Sequence, residues 1–371
     1  MREQRRILSR RDFIKWASVA AVSAAGCSLL DVYRPWVNLD DIGQSFLEEG
    51  LEMDYTKELI RLSILAASSH NSQPWKFSVQ NTDIHILPDY SRRLPVVDPQ
   101  DRELWISLGC ALENLLIAAK SHGLSCEIDY PEKEERINIR LSGEYTIEPE
   151  KSNLYDAIFS RQNTRSNYSV KDGLVNPESE FSTDVFSEPG ILLRYIHSEA
   201  ELNAISDLVK RGTINQYTSK AFVDELKRWL RFNKKDALDS MDGLYSKCSG
   251  NPEAPRFIGE WFINTLDAKK QAETDTQKLR NSVGVLVIAS EGETRSDWVR
   301  TGQVYERWAL KMTAAGFRSS MLNQPVEVEE LRNELSNSLN LAGAYPQLLV
   351  RYGCAPEMPR SLRRPVERVL I

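Results

Sequence analysis

The chain has 371 residues, 41% apolar and 27% charged, with a formal net charge of −6. That length supports one large domain or two ordinary ones, each with a real core, and the negative charge with dispersed lysines and arginines argues against nucleic acid as a partner. Five cysteines (Cys27, Cys110, Cys126, Cys248, Cys354) form no CxxC pair and four histidines (His70, His85, His122, His197) are scattered, so no metal centre is expected; no GxGxxG or GxxxxGK[ST] run signals a dinucleotide or P-loop site.

Residues 1–27 read as an export signal. Ser9-Arg10-Arg11-Asp12-Phe13-Ile14-Lys15 is followed by a weakly apolar stretch from Trp16 to Ala25, too short for a comfortable membrane span. The arginine pair followed by Phe13 and Ile14 looks like a twin-arginine signal, which implies the twin-arginine export machinery as a partner. Ser23-Ala24-Ala25-Gly26-Cys27 resembles a lipoprotein cleavage box, with Ala24 where Leu is the common choice. The expected location is therefore periplasmic or membrane-anchored, with contact to a membrane only through a lipid on Cys27. The alternative is an ordinary cysteine near a signal-peptidase site.

The next informative segment is Ala67–Phe77, ASSHNSQPWKF. Ser68, Ser69, Asn71 and Gln73 offer hydroxyl and amide hydrogen bonds beside an apolar wall from Pro74 and Trp75, a combination suited to a flat heteroaromatic ligand with polar edges. The bland alternative is a helix end running through a turn into a strand. Short β-branched or aromatic runs predict strands at 84–87, 137–141, 191–196, 283–289 and 347–352. Helical runs with separated short strands indicate an α+β fold.

Arg102, Trp105, Gly109, Glu113 and Gly123 have counterparts at Arg295, Trp298, Gly302, Glu306 and Gly316, all at one offset of 193 residues. A weaker echo relates Ser68-x-x-Asn71-Ser72 to Ser160-x-x-Asn163-Thr164. The chain accordingly reads as two copies of one unit, 28–150 and 151–371. The second copy carries a charged, largely helical insertion within about 175–280, expected as a lid over a site or as a surface subdomain.

Arg161-Gln162-Asn163-Thr164-Arg165 follows an apolar helical stretch, and two arginines four apart can converge on a phosphate. Pro359-Arg360-Ser361-Leu362-Arg363-Arg364-Pro365 supplies further guanidinium groups. Taken singly, each basic run reads more often as a solvated face or a salt-bridge donor.

With these pieces together, the sequence resembles the nitroreductase-like flavoproteins, and within them the exported, internally duplicated Acg-type branch. The matching segments are SSHNSQPW at 68–75, RQNTRSNY at 161–168, DWVRTGQVYERWALKMTAAGF at 297–317 and LLVRYGCAPEMPRSLRRPVERVL at 348–370. The resemblance implies a nitroreductase-like α+β fold whose two halves form an intrachain pseudo-dimer around FMN. It places Arg161, Thr164 and Arg165 on the phosphate, assisted by Arg363 or Arg364. Ser68, Ser69, His70 and Asn71, with Gln73 in the same loop, would line the isoalloxazine and ribityl chain, and Met321, Leu322 and Asn323 would lie near the reactive nitrogen. Arg351 reads as structural. A flavin enzyme needs no side-chain acid–base pair for hydride transfer, because the cofactor carries that chemistry. The implied activity is two-electron reduction of a small flat acceptor, a nitroaromatic, quinone or similar molecule. The alternative is a non-catalytic flavin-sequestering protein with a closed lid.

Overall fold

The computed structural model describes residues 55–132, 134–150, 152–169, 188–341 and 343–371. The readings on residues 1–27, including Cys27, lie outside the described residues. In order, the chain forms α1 (Tyr55–Ser63), β1 (Trp75–Gln80), β2 (Asp83–Pro88), α2 (Arg102–Ser121), β3 (Leu124–Asp129), β4 (Ile137–Gly143), α3 (Asn153–Ser160) and β5 (Ile191–Ile196). It continues through α4 (Glu199–Thr218), α5 (Lys220–Trp229), β6 (Leu230–Arg231), α6 (Lys234–Ser240), β7 (Leu244–Tyr245), α7 (Arg256–Asn264) and α8 (Ala268–Arg280). It then closes with β8 (Gly284–Ser290), α9 (Arg295–Ala314), β9 (Arg318–Met321), α10 (Gln324–Glu327), α11 (Glu329–Ser338) and β10 (Tyr345–Gly353), an α+β arrangement.

Two four-stranded antiparallel sheets, ordered β1-β2-β4-β3 and β5-β8-β10-β9, share one pattern: first strand beside second, second beside fourth, fourth beside third. In each, a 20-residue helix enters between the second and third strands, α2 in one and α9 in the other. The first two strands of the first sheet are joined by the tight turn at Asn81 and Thr82, where Asn81 takes a left-handed φ of 58°. At the same point of the second sheet the chain makes its long excursion, residues 197–283, through five helices and the small parallel pair β6–β7. The insertion expected within about 175–280 thus begins after Ile196, because 191–196 is a strand of the sheet; residues 170–187 lie outside the described residues.

The central helices α2 and α9 meet backbone to backbone. A Cβ on Gly109 would lie 2.0 Å from the Val299 carbonyl oxygen, and a Cβ on Gly302 would lie 2.0 Å from the Ile106 carbonyl oxygen. The two contacts exchange under the 193-residue offset. Helix α2 is apolar nearly all round, as suits a helix covered on every side. It is long and apolar enough to cross a membrane, yet 83% of that stretch is buried within the protein. A Thr294–Asp297 capping box satisfies the first N–H groups of α9.

Strand β8 is buried on both faces, and its side chains alternate between two cores. Leu286 and Ile288 join Trp105, Trp308 and Tyr305 around the central helices, while Val285, Val287 and Ala289 pack with Ile205, Leu279 and Leu335 from α4, α8 and α11. The C-terminal tail leaves the second sheet and crosses to the first. Phe77 N donates to Val369 O at 2.7 Å and Ile371 N donates to Phe77 O at 2.8 Å, which covers the open edge of β1.

The glycine crossing makes a direct prediction. Gly302→Ala gains helix propensity but forces a methyl into the Ile106 carbonyl, so overpacking dominates and stability falls by about 1–3 kcal/mol. Urea denaturation should show a lower midpoint at unchanged m-value.

Candidate functional site

A cavity of about 540 Å³ lies where four distant stretches of chain converge. Its walls come from the end of α1 and the loop beyond it, the residues after α3, the tail from Pro359 to Arg368, and Leu238, Met241, Leu244 and Cys248 of the insertion, with Tyr305 and Met321 at the base. Seven arginines line it (Arg61, Arg161, Arg165, Arg360, Arg363, Arg364, Arg368), and no carboxylate does among the described residues.

The loop from Ser68 to Gln73 is bent by three left-handed residues, His70 (φ 51°), Asn71 (φ 52°) and Gln73 (φ 52°). Non-glycine residues in this region cost of order 1–3 kcal/mol each and persist only where surroundings hold them. Here the amide side chains do the holding. Asn71 Nδ2 donates to the carbonyls of Gly243 (3.0 Å) and Leu362 (3.1 Å). Gln73 Nε2 donates to Met241 O at 3.0 Å, and Gln73 Oε1 accepts from Arg364 N at 2.8 Å. The loop is thereby bonded to both the insertion and the tail. Asn71 Oδ1 remains buried at the cavity wall with no protein partner among the described residues, which leaves an acceptor for a ligand N–H or O–H.

The arginines fall into two kinds. Arg161 is bound inside the protein: its Nε lies 2.8 Å from Glu306 Oε1 and its Nη2 donates to Leu65 O at 2.9 Å. Burial pushes the Glu306 carboxyl up, and Arg161 opposes that shift. Arg61 is likewise held by Glu58 through two short bonds. Arg165 and Arg363 have no such carboxylate partner among the described residues. Arg165 Nη2 reaches the Asn163 amide oxygen at 3.2 Å once that amide is oriented to satisfy its neighbours, and burial lowers its pKa. Arg363 donates to the carbonyls of Leu65 (3.2 Å) and Ala66 (3.0 Å), and burial followed by repulsion from Arg161 brings its pKa down to about 9. Arg364 is lowered to about 10 by burial and Arg92, and its Nη2 donates to Gln73 O and Trp75 O. Clustered cations that depress one another's protonation are poised for an anion.

Of the residues singled out in the sequence, Ser68, Asn71, Arg161, Arg165, Met321, Arg363 and Arg364 come together on this cavity. Others sit elsewhere. Ser69 turns toward α2, where its Oγ donates to Glu103, and it lines a separate cavity of about 20 Å³. His70 is half-buried beside that group; burial, partly opposed by Glu103, lowers its pKa to about 4, so it is neutral near pH 7. Gln73 is fully buried and spent on the bonds above. Thr164 is fully buried, with its carbonyl taken by Tyr168 Oη and Arg351. Leu322 packs in the second core, and Asn323 bridges Leu349 N and Glu103. Trp75, expected as an apolar wall for ligand, is instead fully buried in the main core because β1 turns it inward. Arg351 has the structural place expected of it, donating to Ser166 O at 2.8 Å and stacking 3.9 Å above Tyr168. Sequence reasoning passed over Glu306 and Tyr305 as a site, and Leu238, Met241, Leu244 and Cys248 within a charged stretch that gives them no periodic signal.

An α+β protein with a basic, carboxylate-free cavity between its two sheet units is the class defined by fold and site. No family model matches the chain. It is similar to "Putative NAD(P)H nitroreductase Rv3131" of Mycobacterium tuberculosis, 24% identical over 331 residues, which cover 86% of this chain and 92% of the relative. It is also similar to "Putative NAD(P)H nitroreductase acg" of the same organism, 25% identical over 329 residues, covering 85% and 95%. "Uncharacterized protein Rv3127" matches at 24% over 338 residues, covering 85% and 92%. Among solved structures, the FMN- and NADPH-dependent nitroreductase NfnB of Sphigopyxis sp. strain HMH superposes with a TM-score of 0.38 at 14% identity, covering 59% of this chain and 97% of that one.

The two kinds of arginine behave differently on removal. Arg161→Gln leaves Glu306 buried without its counter-charge and should cost about 3–5 kcal/mol. Denaturant unfolding at neutral pH measures it, and a loss below about 1 kcal/mol would mean that the pair does not hold the loop.

Proposed function

We propose that the chain is an FMN-dependent oxidoreductase of nitroreductase type, acting by two-electron transfer on a flat nitroaromatic, quinone or similar small acceptor. The observation that carries this reading is the carboxylate-free cavity with seven arginines, joined to an apolar wall and an unpaired amide oxygen. The names of the relatives, matched over most of both chains, support it. The residues fit the cofactor. Arg165 and Arg363 lack carboxylate partners and would hold the phosphate, with Arg161 behind them. Asn71 Oδ1 would accept from a polar edge of the ring or the ribityl chain, and Ser68 would offer its hydroxyl nearby. Leu65, Ile158, Phe159 and Leu244 supply apolar surface that would exclude water from a bound cofactor. When bound, FMN supplies reversible hydride acceptance and donation. The protein's part is to neutralise the phosphate, fix the ring's orientation and keep the site dry.

The same reading extends to origin and location. The chain is a fused duplication whose halves meet at the Gly109–Gly302 crossing, supported by the common strand order and the 193-residue offset. It is exported by the twin-arginine route and is periplasmic or anchored through Cys27, supported by the pattern in residues 9–27. Leu238, Met241, Leu244 and Cys248 on the cavity wall favour a second reading, in which the insertion is a closed lid and the protein sequesters flavin without turnover.

Anaerobic absorbance titration of the folded protein separates these readings. Bleaching of an oxidised-flavin band by NADPH establishes a reductase. Bleaching by dithionite alone favours sequestration, and failure to bind added FMN ends both. Arg165→Ala should weaken FMN binding about 10- to 100-fold, the worth of one charge-assisted hydrogen bond, without loss of thermal stability, since no carboxylate is left unpaired. Quenching of flavin fluorescence reads the affinity.

A further inference from the structure

Helix α7 of the insertion (Arg256–Asn264, RFIGEWFIN) takes no part in the cavity. Among the described residues the exposed large apolar side chains are scattered singly, except that Phe257, Trp261 and Phe262 fall on this one helix. Phe257 is 74% exposed and Trp261 52%. They lie one turn apart and so share a face. Nearly opposite them is Gly259, where a Cβ would lie 2.1 Å from the Phe232 ring. Only glycine lets the helix backbone sit on that ring, and the seat decides which face turns out. Other bonds fix the helix in place. Arg256 Nε donates to Glu260 Oε1 at 2.9 Å, and Arg256 Nη1 lies 3.7 Å from Asp236 of α6. Lys227 Nζ of α5 donates to Asn264 Oδ1 at 2.9 Å, and Ala254 N donates to Phe232 O at 3.0 Å. A firmly held helix therefore presents the two aromatics outward.

The surroundings are basic, in a chain whose formal net charge is −6. The nearby acids are engaged: Asp224 pairs with Lys220 and Lys227, Glu260 pairs with Arg256, and Asp267 caps the first N–H groups of α8. Arg228 at the end of α5, and Lys269 and Lys270 in the first turn of α8, are exposed and form no ion pair among the described residues. Aromatic side chains beside such cations suit the headgroup layer of an anionic bilayer, where the rings take the apolar boundary and the cations meet lipid phosphates. A second copy of the chain fits the face less well. The three aromatics together expose roughly 350 Å², against about 800 Å² per partner in a stable dimer. Like charges would also oppose one another across a two-fold contact.

We propose that α7 is a membrane-surface contact: Phe257 and Trp261 enter the interface of an anionic bilayer, with Arg228, Lys269 and Lys270 at its phosphates. The inference depends neither on the oxidoreductase reading nor on a lipid at Cys27. It adds to such an anchor. Residues 28–54 can span at most about 90 Å between Cys27 and α1, several times the radius of gyration of about 20 Å for a domain of this size. A lipid alone would therefore leave the domain free to turn. A nine-residue helix binds lipid weakly and reversibly, and joined to a second anchor it sets which side faces the membrane. The contact also connects to the site, because α6, which meets Arg256 through Asp236, carries Leu238 of the cavity wall.

The test uses the full chain carrying Cys27→Ala, which removes any lipid, with vesicles of phosphatidylcholine alone or mixed equally with phosphatidylglycerol. Sedimentation should show binding to the mixed vesicles. Phe257→Ser with Trp261→Ser should weaken it about 10-fold or more at unchanged thermal stability, because both side chains leave a solvent-facing surface. Lys269→Gln with Lys270→Gln should weaken it about 10- to 30-fold on mixed vesicles and little on neutral ones. A second readout places the contact. Brominated acyl chains should quench the fluorescence component that Trp261→Phe removes, while Trp261→Phe itself still binds. Binding that the α7 variants leave unchanged, or a Trp261 component that is not quenched, would assign the membrane contact elsewhere in the chain and overturn the proposal. Absence of binding to the mixed vesicles would overturn it too. A concentration-dependent dimer that is lost with Phe257→Ser and Trp261→Ser would give the face to a second copy instead.

Discussion

The close approach of α2 and α9 at Gly109 and Gly302 is the constraint on which the rest depends. With no Cβ at either position, the helices touch through backbone, and everything they carry is brought across the divide. Glu113 of α2 then reaches Arg307 of α9 through two bonds of 2.6 and 2.9 Å. Glu306, the counterpart of Glu113, reaches Arg161 and Ala67 N. The two sequence-related carboxylates thus fasten opposite sides of the molecule, but only the Glu306 side opens onto the large cavity. A wider crossing would leave Glu113 of α2 buried and short of Arg307 of α9, a far larger cost than the methyl groups concerned.

The cavity is built by converging segments that do not hold their geometry alone. The Ser68–Gln73 loop contains three left-handed residues and relies on carbonyls of the insertion and the tail for its shape. The tail in turn is anchored by pairing with β1 and by Arg363 and Arg364 donating to carbonyls around the same loop. Asp242 of the insertion pairs with both Arg92 and Arg231, which fixes the turn that presents Met241 and Gly243. Loop, tail and insertion therefore order one another, and a change in any of them is felt at the cavity wall.

Much of this was legible in the chain, for identifiable reasons. The strands expected at 84–87, 137–141, 191–196, 283–289 and 347–352 all exist, because each faces a core and so carries β-branched or aromatic residues. Strand β9 was not visible, because it is a sheet edge and RSSM carries too few apolar residues to show a period of two; LSCEID of β3 does alternate, with Leu124, Cys126 and Ile128 against Ser125, Glu127 and Asp129, but was not among the expected strands. The site residues divide similarly. Arg161, Arg165, Arg363 and Arg364 stood out as basic runs and do meet at one cavity. The amide-rich loop was read as ligand-facing, yet Gln73 and most of Asn71 serve to hold backbone, since left-handed residues must be fixed by something and amides are the groups at hand. Glu103 and Asn323 are 220 residues apart in sequence, and no local pattern marks two side chains that only tertiary packing brings together.

Arginines without carboxylates make the empty cavity electrostatically expensive. Arg363 is buried near Arg161, whose own partner Glu306 offsets one charge and no more, and the buried Arg165 lines the same cavity. A dianionic ligand placed among them removes that repulsion in the folded state and has no comparable site in the unfolded chain, so ligand binding and folding reinforce each other. The segments that border the cavity are also those whose order is mutual, so the ligand stabilises loop, tail and insertion at once. A protein built this way is best loaded where it folds. The twin-arginine signal proposed for residues 9–15, of a type associated with export of already folded chains, would suit such coupling.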